Sequence, residues 1–253
     1  MIYDLQKASL LKRITAAILD MILICVLAVG VASVMSAVLN YDSHYQTLDA
    51  CYEKYGQQFG VSMDITEEEF HALPETDQQK YLDAVAAMNA DEEALRAYNM
   101  LIYQSLLIMT IAVFAAYLAL EFFVPMLLGN GQTVGKKVFA IAVMKANGVK
   151  INPVSLFVRT VLGKFTIETM IPLLLIMMMF WDAIGIVGPI VILGIGILQI
   201  VLMVTSHTNS TIHDALAQTV AVDLHSQMIF GSESELMDYK KRVHEEAVRK
   251  QSY

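Results

Sequence analysis

Charged residues are scarce in this chain, at 17% of its 253 residues, whereas soluble domains average about 25%. There are two cysteines, too few for a disulfide framework. Basic residues are outnumbered by acidic ones, and the net charge of −8 argues against a nucleic-acid partner. Hydrophobic residues instead make up 56% of the chain, in long blocks. These blocks predict an integral membrane protein.

Four apolar stretches are long enough, or nearly so, to cross a bilayer as helices. They are residues 14–39, 101–128, 167–180 and 184–204. Trp181 and Asp182 are interpreted as an interfacial anchor and a turn, so the last two stretches would form a hairpin. The predicted fold class is therefore an all-α integral membrane protein with four transmembrane helices.

The charges outside these stretches predict the orientation, because Lys and Arg near span ends are retained in the cytoplasm. The amino-terminal segment is basic, and residues 129–165 carry six basic residues and no acid. Residues 40–99 carry a net charge of −10. We therefore expect a multi-pass protein of the cytoplasmic (plasma) membrane with both termini in the cytoplasm. A cleaved signal peptide is the less favoured interpretation of the first stretch, because Asp20 interrupts it and its apolar run is long.

This pattern predicts four regions. They are a cytoplasmic amino terminus with the first span (residues 1–39), an acidic extracytoplasmic helical domain (40–99), a core with spans two to four and the basic cytoplasmic loop 129–165 (100–224), and a charged cytoplasmic tail (225–253). In the acidic domain, Thr66 and Glu69 fit a capping box. Its acids match no EF-hand spacing, so we expect a solvated surface rather than a calcium site.

The basic loop is predicted to contain a small β-hairpin and an amphipathic helix. Residues 140–144 form an apolar strand, Asn147-Gly148 is typical of a tight turn, and residues 149–151 would return. Asn152 and Pro153 are typical of a helix start, and we expect that helix to lie on the inner membrane surface. Residues 218–224 are a further strand candidate that could pair with the hairpin.

Three segments resemble motifs of the RDD family of integral membrane proteins. Residues 13–20 resemble its R-x-x-A-x-x-x-D motif, residues 131–136 its G-x-T-x-G-K motif, and residues 213–219 its H-D-x-x-A-x-T motif. The residues that carry the resemblance are Arg13, Ala16, Asp20, Gly131, Thr133, Gly135, Lys136, Arg159, His213 and Asp214. Ala215 stands where the family commonly has Arg, and Gln218 where it commonly has Gly. The resemblance implies transport of small solutes, and Na⁺/H⁺ exchange has been attributed to some members.

Ionisable groups inside the predicted spans are candidates for function, because charge is costly to bury in a bilayer. Asp20 lies seven residues after Arg13, which is expected at the inner interface, and Glu121 lies seven residues before Leu128, the inner end of the neighbouring antiparallel helix. Two buried carboxylates at one depth could hold a proton or a small cation. Arg13 and Asp214 are expected to close the cytoplasmic side.

Each of these residues also has a structural interpretation. Arg13 could snorkel to the interface, or Asp214 could hold it. Asp20 could pair with Arg159 or cap a buried backbone group. His213 could be a proton relay or a hydrogen-bonding structural residue.

Two functions therefore remain open. The first is a transporter of small solutes, with proton-coupled cation exchange of the Na⁺/H⁺ type through Asp20 and Glu121. The alternative is a non-transporting scaffold or regulatory subunit that binds partner proteins. An enzyme is not expected, because no nucleophile and base stand at a recognisable spacing. We also predict no cofactor and no metal site.

The expected partners are membrane lipids, small cations and protons. Four spans are few for a secondary carrier, because such carriers are usually built from repeated bundles of helices. A homo-oligomer or a partner membrane protein is therefore also expected.

Overall fold

The computed structural model describes residues 5–180 and 183–251, so the anchor and turn assigned to Trp181 and Asp182 lie outside the described residues. The helices are α1 (Leu10–Val38), α2 (Tyr41–Phe59), α3 (Glu67–Ala72), α4 (Glu75–Asn89), α5 (Glu92–Leu128), α6 (Val134–Val138), α7 (Pro153–Phe180), α8 (Val187–Thr205), α9 (Ile212–Ala217) and α10 (Glu233–Gln251). The strands are β1 (Ile141–Lys145) and β2 (Thr219–Asp223).

Helices α1, α5, α7 and α8 are each long and apolar enough to cross a membrane. Their exposed surfaces are rich in Leu, Ile, Val and Met, which is the composition expected of helices surrounded by lipid rather than water. The prediction of an all-α membrane protein with four transmembrane helices is confirmed.

Helix α7 corrects one part of that prediction. A separate amphipathic helix on the membrane surface was expected before a short third span, but one continuous helix runs from Pro153 to Phe180. The start of the helix is as predicted, because the Ser155 N–H donates to the Asn152 side chain at 2.7 Å. The charges of Arg159 and Lys164 are paired with carboxylates from other elements, so this segment packs among helices instead of facing lipid headgroups.

Two of the membrane helices contain wider, π-helical turns. These cover Leu118–Phe123 in α5 and Val158–Met170 in α7. A π-helical turn changes the direction in which the following side chains point and is frequent at functional sites. Glu121 and Arg159 both lie in these turns.

The small sheet also differs from the predicted hairpin. Strand β1 pairs antiparallel with β2, with Ile141 opposite Asp223. The pairing partner of β1 is thus the further strand candidate of the sequence. The chain turns at residues 146–148 and returns as predicted, but the return segment meets β1 only at one isolated bridge, Met144 opposite Lys150, and forms no second strand. The carboxyl-terminal segment pairs with the other edge of the return segment, because the Lys150 N–H donates to the Phe230 carbonyl at 2.8 Å.

The described chain forms two compact units. The larger runs up to Ala28 and resumes at Val113, and the smaller comprises Val29–Ala112. Helices α2, α3 and α4 belong to the smaller unit, which has its own apolar core around Tyr55 and Met88. The predicted capping box is present there, with Thr66 and Glu69 bonded reciprocally.

Gln218 ends α9 in the left-handed conformation, with φ 52° and ψ 47°. This conformation costs an L side chain about 1–2 kcal/mol, whereas glycine adopts it freely. We expect Gln218→Gly to raise the free energy of unfolding by about 0.5–1 kcal/mol, because glycine's greater freedom in the unfolded chain offsets part of the gain. Thermal unfolding of the purified protein in detergent would measure the change.

The matched control is Ala215→Gly, at an exposed position inside the same helix. That change should destabilise by about 1 kcal/mol, because glycine lowers helix propensity. If both variants lower Tm equally, the explanation from backbone strain at Gln218 is wrong.

Candidate functional site

A cavity of about 320 Å³ lies within the larger unit and is lined by an equal number of acidic and basic residues. The charged lining residues are Arg13, Asp20, Glu121, Lys136, Arg159, Lys164, Glu168 and Asp214. With His213 neutral, their formal charges sum to zero. Ionisable groups among membrane-crossing helices are costly and rarely retained without a role, so this cavity is the candidate functional site.

Asp20 joins α1 to the basic loop. One carboxylate oxygen accepts the Gly135 N–H at 2.7 Å, and the other accepts the Thr133 hydroxyl at 2.5 Å. Asp20 is only 6% exposed, so these bonds satisfy a buried carboxylate. Of the two structural roles considered for Asp20, the structure has the backbone cap rather than the pair with Arg159.

The close approach of the loop to α1 depends on small residues. A Cβ atom at position 135 would lie 2.3 Å from the Ala16 carbonyl oxygen and 2.9 Å from the Asp20 carboxylate. Ala16 is itself fully buried at this contact. The Ala and Gly of two separate motifs thus allow one backbone to lie against another.

Lys136 lies between Asp20 and Glu121, the two carboxylates that were predicted to lie at the same depth in the membrane. Its Nζ is 3.7 Å from Asp20 Oδ2 and 3.9 Å from Glu121 Oε2, and it donates to Thr133 Oγ1 at 3.1 Å. Burial lowers the pKa of Lys136 to about 8, while the charge of Glu121 opposes that shift. Asp20 and Glu121 are therefore brought together, but through a shared ammonium group rather than as two repelling acids.

Glu121 has a second basic partner. It is 2% exposed, and its Oε1 accepts from the Lys164 ammonium of α7. The Thr160 hydroxyl donates to the Glu121 backbone carbonyl at 2.8 Å, which satisfies a carbonyl within a π-helical turn. The wider turns in α5 and α7 thus face each other at a cluster of charges.

Asp214 holds two arginines from different helices. Arg159 Nε donates to Oδ1 at 3.0 Å, and an Arg13 terminal nitrogen lies 3.4 Å from Oδ2. Burial opposes ionisation of Asp214, but the charges of Arg159, His213 and Arg13 outweigh it and hold the pKa of Asp214 below its ordinary value. The Arg13 side chain is 13% exposed, so it is paired rather than extended to the interface.

His213 faces a carboxylate of α7. Its Nδ1 is 2.8 Å and 2.9 Å from the two carboxylate oxygens of Glu168, and its Nε2 is 3.0 Å from Thr211 Oγ1. Burial lowers the pKa of His213, and the charge of Asp214 opposes that shift. Gly163 makes room for this helix contact, because a Cβ there would lie 2.4 Å from the His213 Cβ.

Sequence reasoning misses two of these residues. Glu168 lies inside a predicted apolar stretch, and that position is the signal by which it could have been found. Lys164 is placed on the polar face of a surface helix, so its contact with Glu121 is not anticipated. Lys136 is found only as a motif residue, without its position between two carboxylates.

The arrangement limits what the cavity can bind. In the part of the chain that the structure describes, no group of three or more His, Cys, Asp or Glu side chains is arranged to hold a metal ion. Asp20, Glu121 and Asp214 are already paired with basic side chains. A cation entering the cavity must therefore compete with a basic side chain for a carboxylate.

Comparison with known proteins agrees with the motifs. The model of the RDD family matches residues 7–218, a range that includes every charged residue lining the cavity. No curated protein and no solved structure matches the chain. The family match and the four apolar helices together place the protein in a membrane. The chain therefore belongs to the RDD family of membrane proteins.

Proposed function

We propose that this protein transports small solutes across the membrane, and specifically that it exchanges a small monovalent cation for protons. The observation that supports this most directly is the position of Lys136 between Asp20 and Glu121. An ammonium group is itself a monovalent cation. Oxygens of Thr133, Asp20 and Glu121 surround it at 3.1–3.9 Å.

The oxygens that surround the Lys136 ammonium group could also bind a free cation of the same charge. When the flexible Lys136 side chain moves aside, a cation can take its place, and lysine returns when the cation leaves. Competition of this kind never leaves two buried carboxylates unpaired, a state that would cost several kcal/mol (roughly 3–5 for a broken buried pair). It therefore allows binding and release to be reversible.

Exchange for protons is consistent with the balanced charge of the cavity. The formal charges of the lining residues sum to zero, so the cavity tolerates one added positive charge better than two. A cation and a proton would then exclude each other from the cavity. Mutual exclusion between two ligands is what an exchanger requires.

The topology proposed for this function places the protein in the plasma membrane with both termini in the cytoplasm. The basic amino-terminal segment and the basic loop 129–165 support that orientation. Because four spans are few for a carrier, we propose that it works as a homo-oligomer or with a partner membrane protein, surrounded by lipid. We propose no enzymatic activity.

We predict that Asp20→Asn abolishes cation exchange. Asparagine removes the charge that Lys136 and the cation share, while keeping nearly the same shape. Purified protein is reconstituted in vesicles containing a pH dye, and Na⁺, Li⁺ or K⁺ is added outside. The wild type should show a cation-driven pH change, and the variant should not.

The matched control is Asp49→Asn, which removes an exposed carboxylate of α2. It should exchange like the wild type at equal amounts of inserted protein. Unchanged exchange in Asp20→Asn would refute the role of Asp20. No pH change in the wild type with any of the three cations would favour the scaffold or regulatory function instead.

A further inference from the structure

We propose that Glu168 and His213 form the proton-carrying pair of the cavity. This inference rests on the proposed function, because it names where the exchanged proton is held. It assigns the cation and the proton to different carboxylates, with Asp20 and Glu121 serving the cation.

The four carboxylates of the cavity differ in their ion-pair partners. Asp20 and Glu121 contact lysines, and Asp214 contacts two arginines. The partner of Glu168 is His213. Arginine keeps its charge between about pH 5 and 8, and the lowered pKa of Lys136, about 8, lies at the upper edge of that range, whereas the ordinary pKa of histidine, about 6.5, lies inside it. Glu168 is thus paired with a group that can gain or lose a proton near neutral pH.

The hydrogen bonds of His213 indicate how the extra proton is held. The Thr211 hydroxyl donates to Asp214 Oδ2 at 2.9 Å and also lies 3.0 Å from His213 Nε2. A hydroxyl carries one hydrogen, so while it donates to Asp214 it must accept from Nε2–H. Nδ1 faces the carboxylate of Glu168, and this contact also needs a hydrogen between the two atoms. The network therefore suits the pair when it holds one proton more than a neutral histidine beside a carboxylate.

Loss of that proton requires only one rotation. The proton leaves Nε2 for water, and His213 keeps its Nδ1–H directed at Glu168. The Thr211 hydroxyl then turns from Asp214 to donate its hydrogen to Nε2. The charge of the pair falls by one, and Asp214 loses one hydrogen bond while keeping its arginines. The protonation state of the pair therefore changes the hydrogen bonding of Asp214, the carboxylate that joins α1 to α7 through its two arginines.

Charged and titratable groups from several elements act on the pair. They are Asp214 of α9, Arg159 and Lys164 of α7, and Tyr117 of α5. Burial and the charge of Arg159 favour neutral His213, whereas Asp214 and Glu168 favour its protonated form. The net result is a lowered pKa of His213. The pair is therefore expected to take up its proton below the ordinary pKa of histidine, about 6.5.

Two vesicle assays separate cation transport from proton coupling. Exchange of radioactive sodium for unlabelled sodium needs no net proton movement, whereas sodium uptake driven by a pH gradient does. We expect His213→Gln, which leaves the formal charge of the cavity unchanged, to retain sodium–sodium exchange, and Glu168→Gln, which raises that charge by one as a bound proton does, to weaken it. Their pH-driven uptake should fall at least about tenfold, because the proton-accepting pair is lost. The matched controls are Glu233→Gln and His225→Gln, at exposed positions of the same unit, and they should keep both activities.

A measurement of His213 itself does not depend on transport. The other five histidines are replaced by glutamine, and the imidazole nitrogen resonances of His213 are followed by NMR between about pH 4 and 8. We expect both ring nitrogens to be protonated at the acid end. The midpoint should fall further in Glu168→Gln, because the carboxylate that stabilises the imidazolium is gone.

These results can be told apart from a failure of the proposed function. If the wild type shows neither sodium–sodium exchange nor pH-driven uptake, cation transport is refuted, and the NMR titration still decides whether the pair holds a proton. If Glu168→Gln and His213→Gln keep the pH-driven uptake of their controls, the pair does not carry the proton. A His213 midpoint that is unchanged by Glu168→Gln would overturn the inference as well.

Discussion

Asp214→Ala is expected to lower the free energy of unfolding by about 3–5 kcal/mol, the range for breaking a buried ion pair from one side. Asp214 is 1% exposed and its partner Arg159 is 3% exposed. Removing the carboxylate leaves the charges of Arg159 and Arg13 without their shared counter-ion. Chemical or thermal unfolding in detergent would measure the loss.

The contribution of Asp214 also has a predictable pH dependence. Because its pKa is held below the ordinary value, the stabilisation is fully present above the pKa of an unfolded aspartate, about 3.9. It is lost as the pH falls through the lowered pKa of the folded state. The wild type should therefore keep its advantage over Asp214→Ala throughout the neutral range.

The control for this prediction is an exposed ion pair. Asp77 contacts Lys80 at 2.8 Å, with side chains 38% and 52% exposed. Asp77→Ala should cost less than about 1 kcal/mol, because water screens exposed charges. If Asp77→Ala and Asp214→Ala lower the free energy of unfolding by similar amounts, burial of the arginines is not the cause of the loss in Asp214→Ala.

Gly135→Ala is expected to destabilise by about 1–3 kcal/mol or more, the cost of forcing an extra carbon into a packed contact. The new Cβ would lie 2.3 Å from the Ala16 carbonyl oxygen, which is backbone and cannot rotate away. The basic loop would have to move from α1, and Asp20 would lose its bond to the Gly135 N–H. Lys136 would then leave its place between Asp20 and Glu121.

The measurements for Gly135→Ala are Tm in detergent and sodium exchange in vesicles, and both should fall. Gly194→Ala is the matched control, because a Cβ at that position of α8 meets nothing within 4 Å. It should be neutral or slightly stabilising, by up to about 1 kcal/mol, through better helix propensity. Equal Tm values for the two variants would refute the close contact at Gly135.

The candidate site was predictable in part. Its motif residues were identified from the sequence, and Asp20 and Glu121 were placed at one depth by counting along helices. Their actual relation depends on Lys136, which reaches them from a loop more than a hundred residues after Asp20. Lys164 was missed because a continuous α7 was not expected, and Glu168 was missed although it lies inside a predicted apolar stretch. The predicted domain boundaries and orientation stay predictions.

The positive φ of Gln218 shows what a sequence motif does not reveal, namely the backbone conformation that a motif position requires. The sequence shows only that glutamine stands where the family commonly has glycine, and the structure supplies the left-handed backbone that makes the difference costly. In the same way, the Ala and Gly of the first two motifs are recognisable as pattern, but their steric reason is a contact between α1 and the basic loop.

What the sequence by itself determined was local. The length and polarity of each apolar stretch determined the membrane helices, and Thr66 and Asn152 determined helix starts, because transfer to lipid and capping depend on neighbours in the chain. Only the tertiary structure decided which charges meet. Pairs such as Arg13 with Asp214 join residues about two hundred positions apart, and π-helical turns redirect side chains in a way that an ideal helical count does not follow.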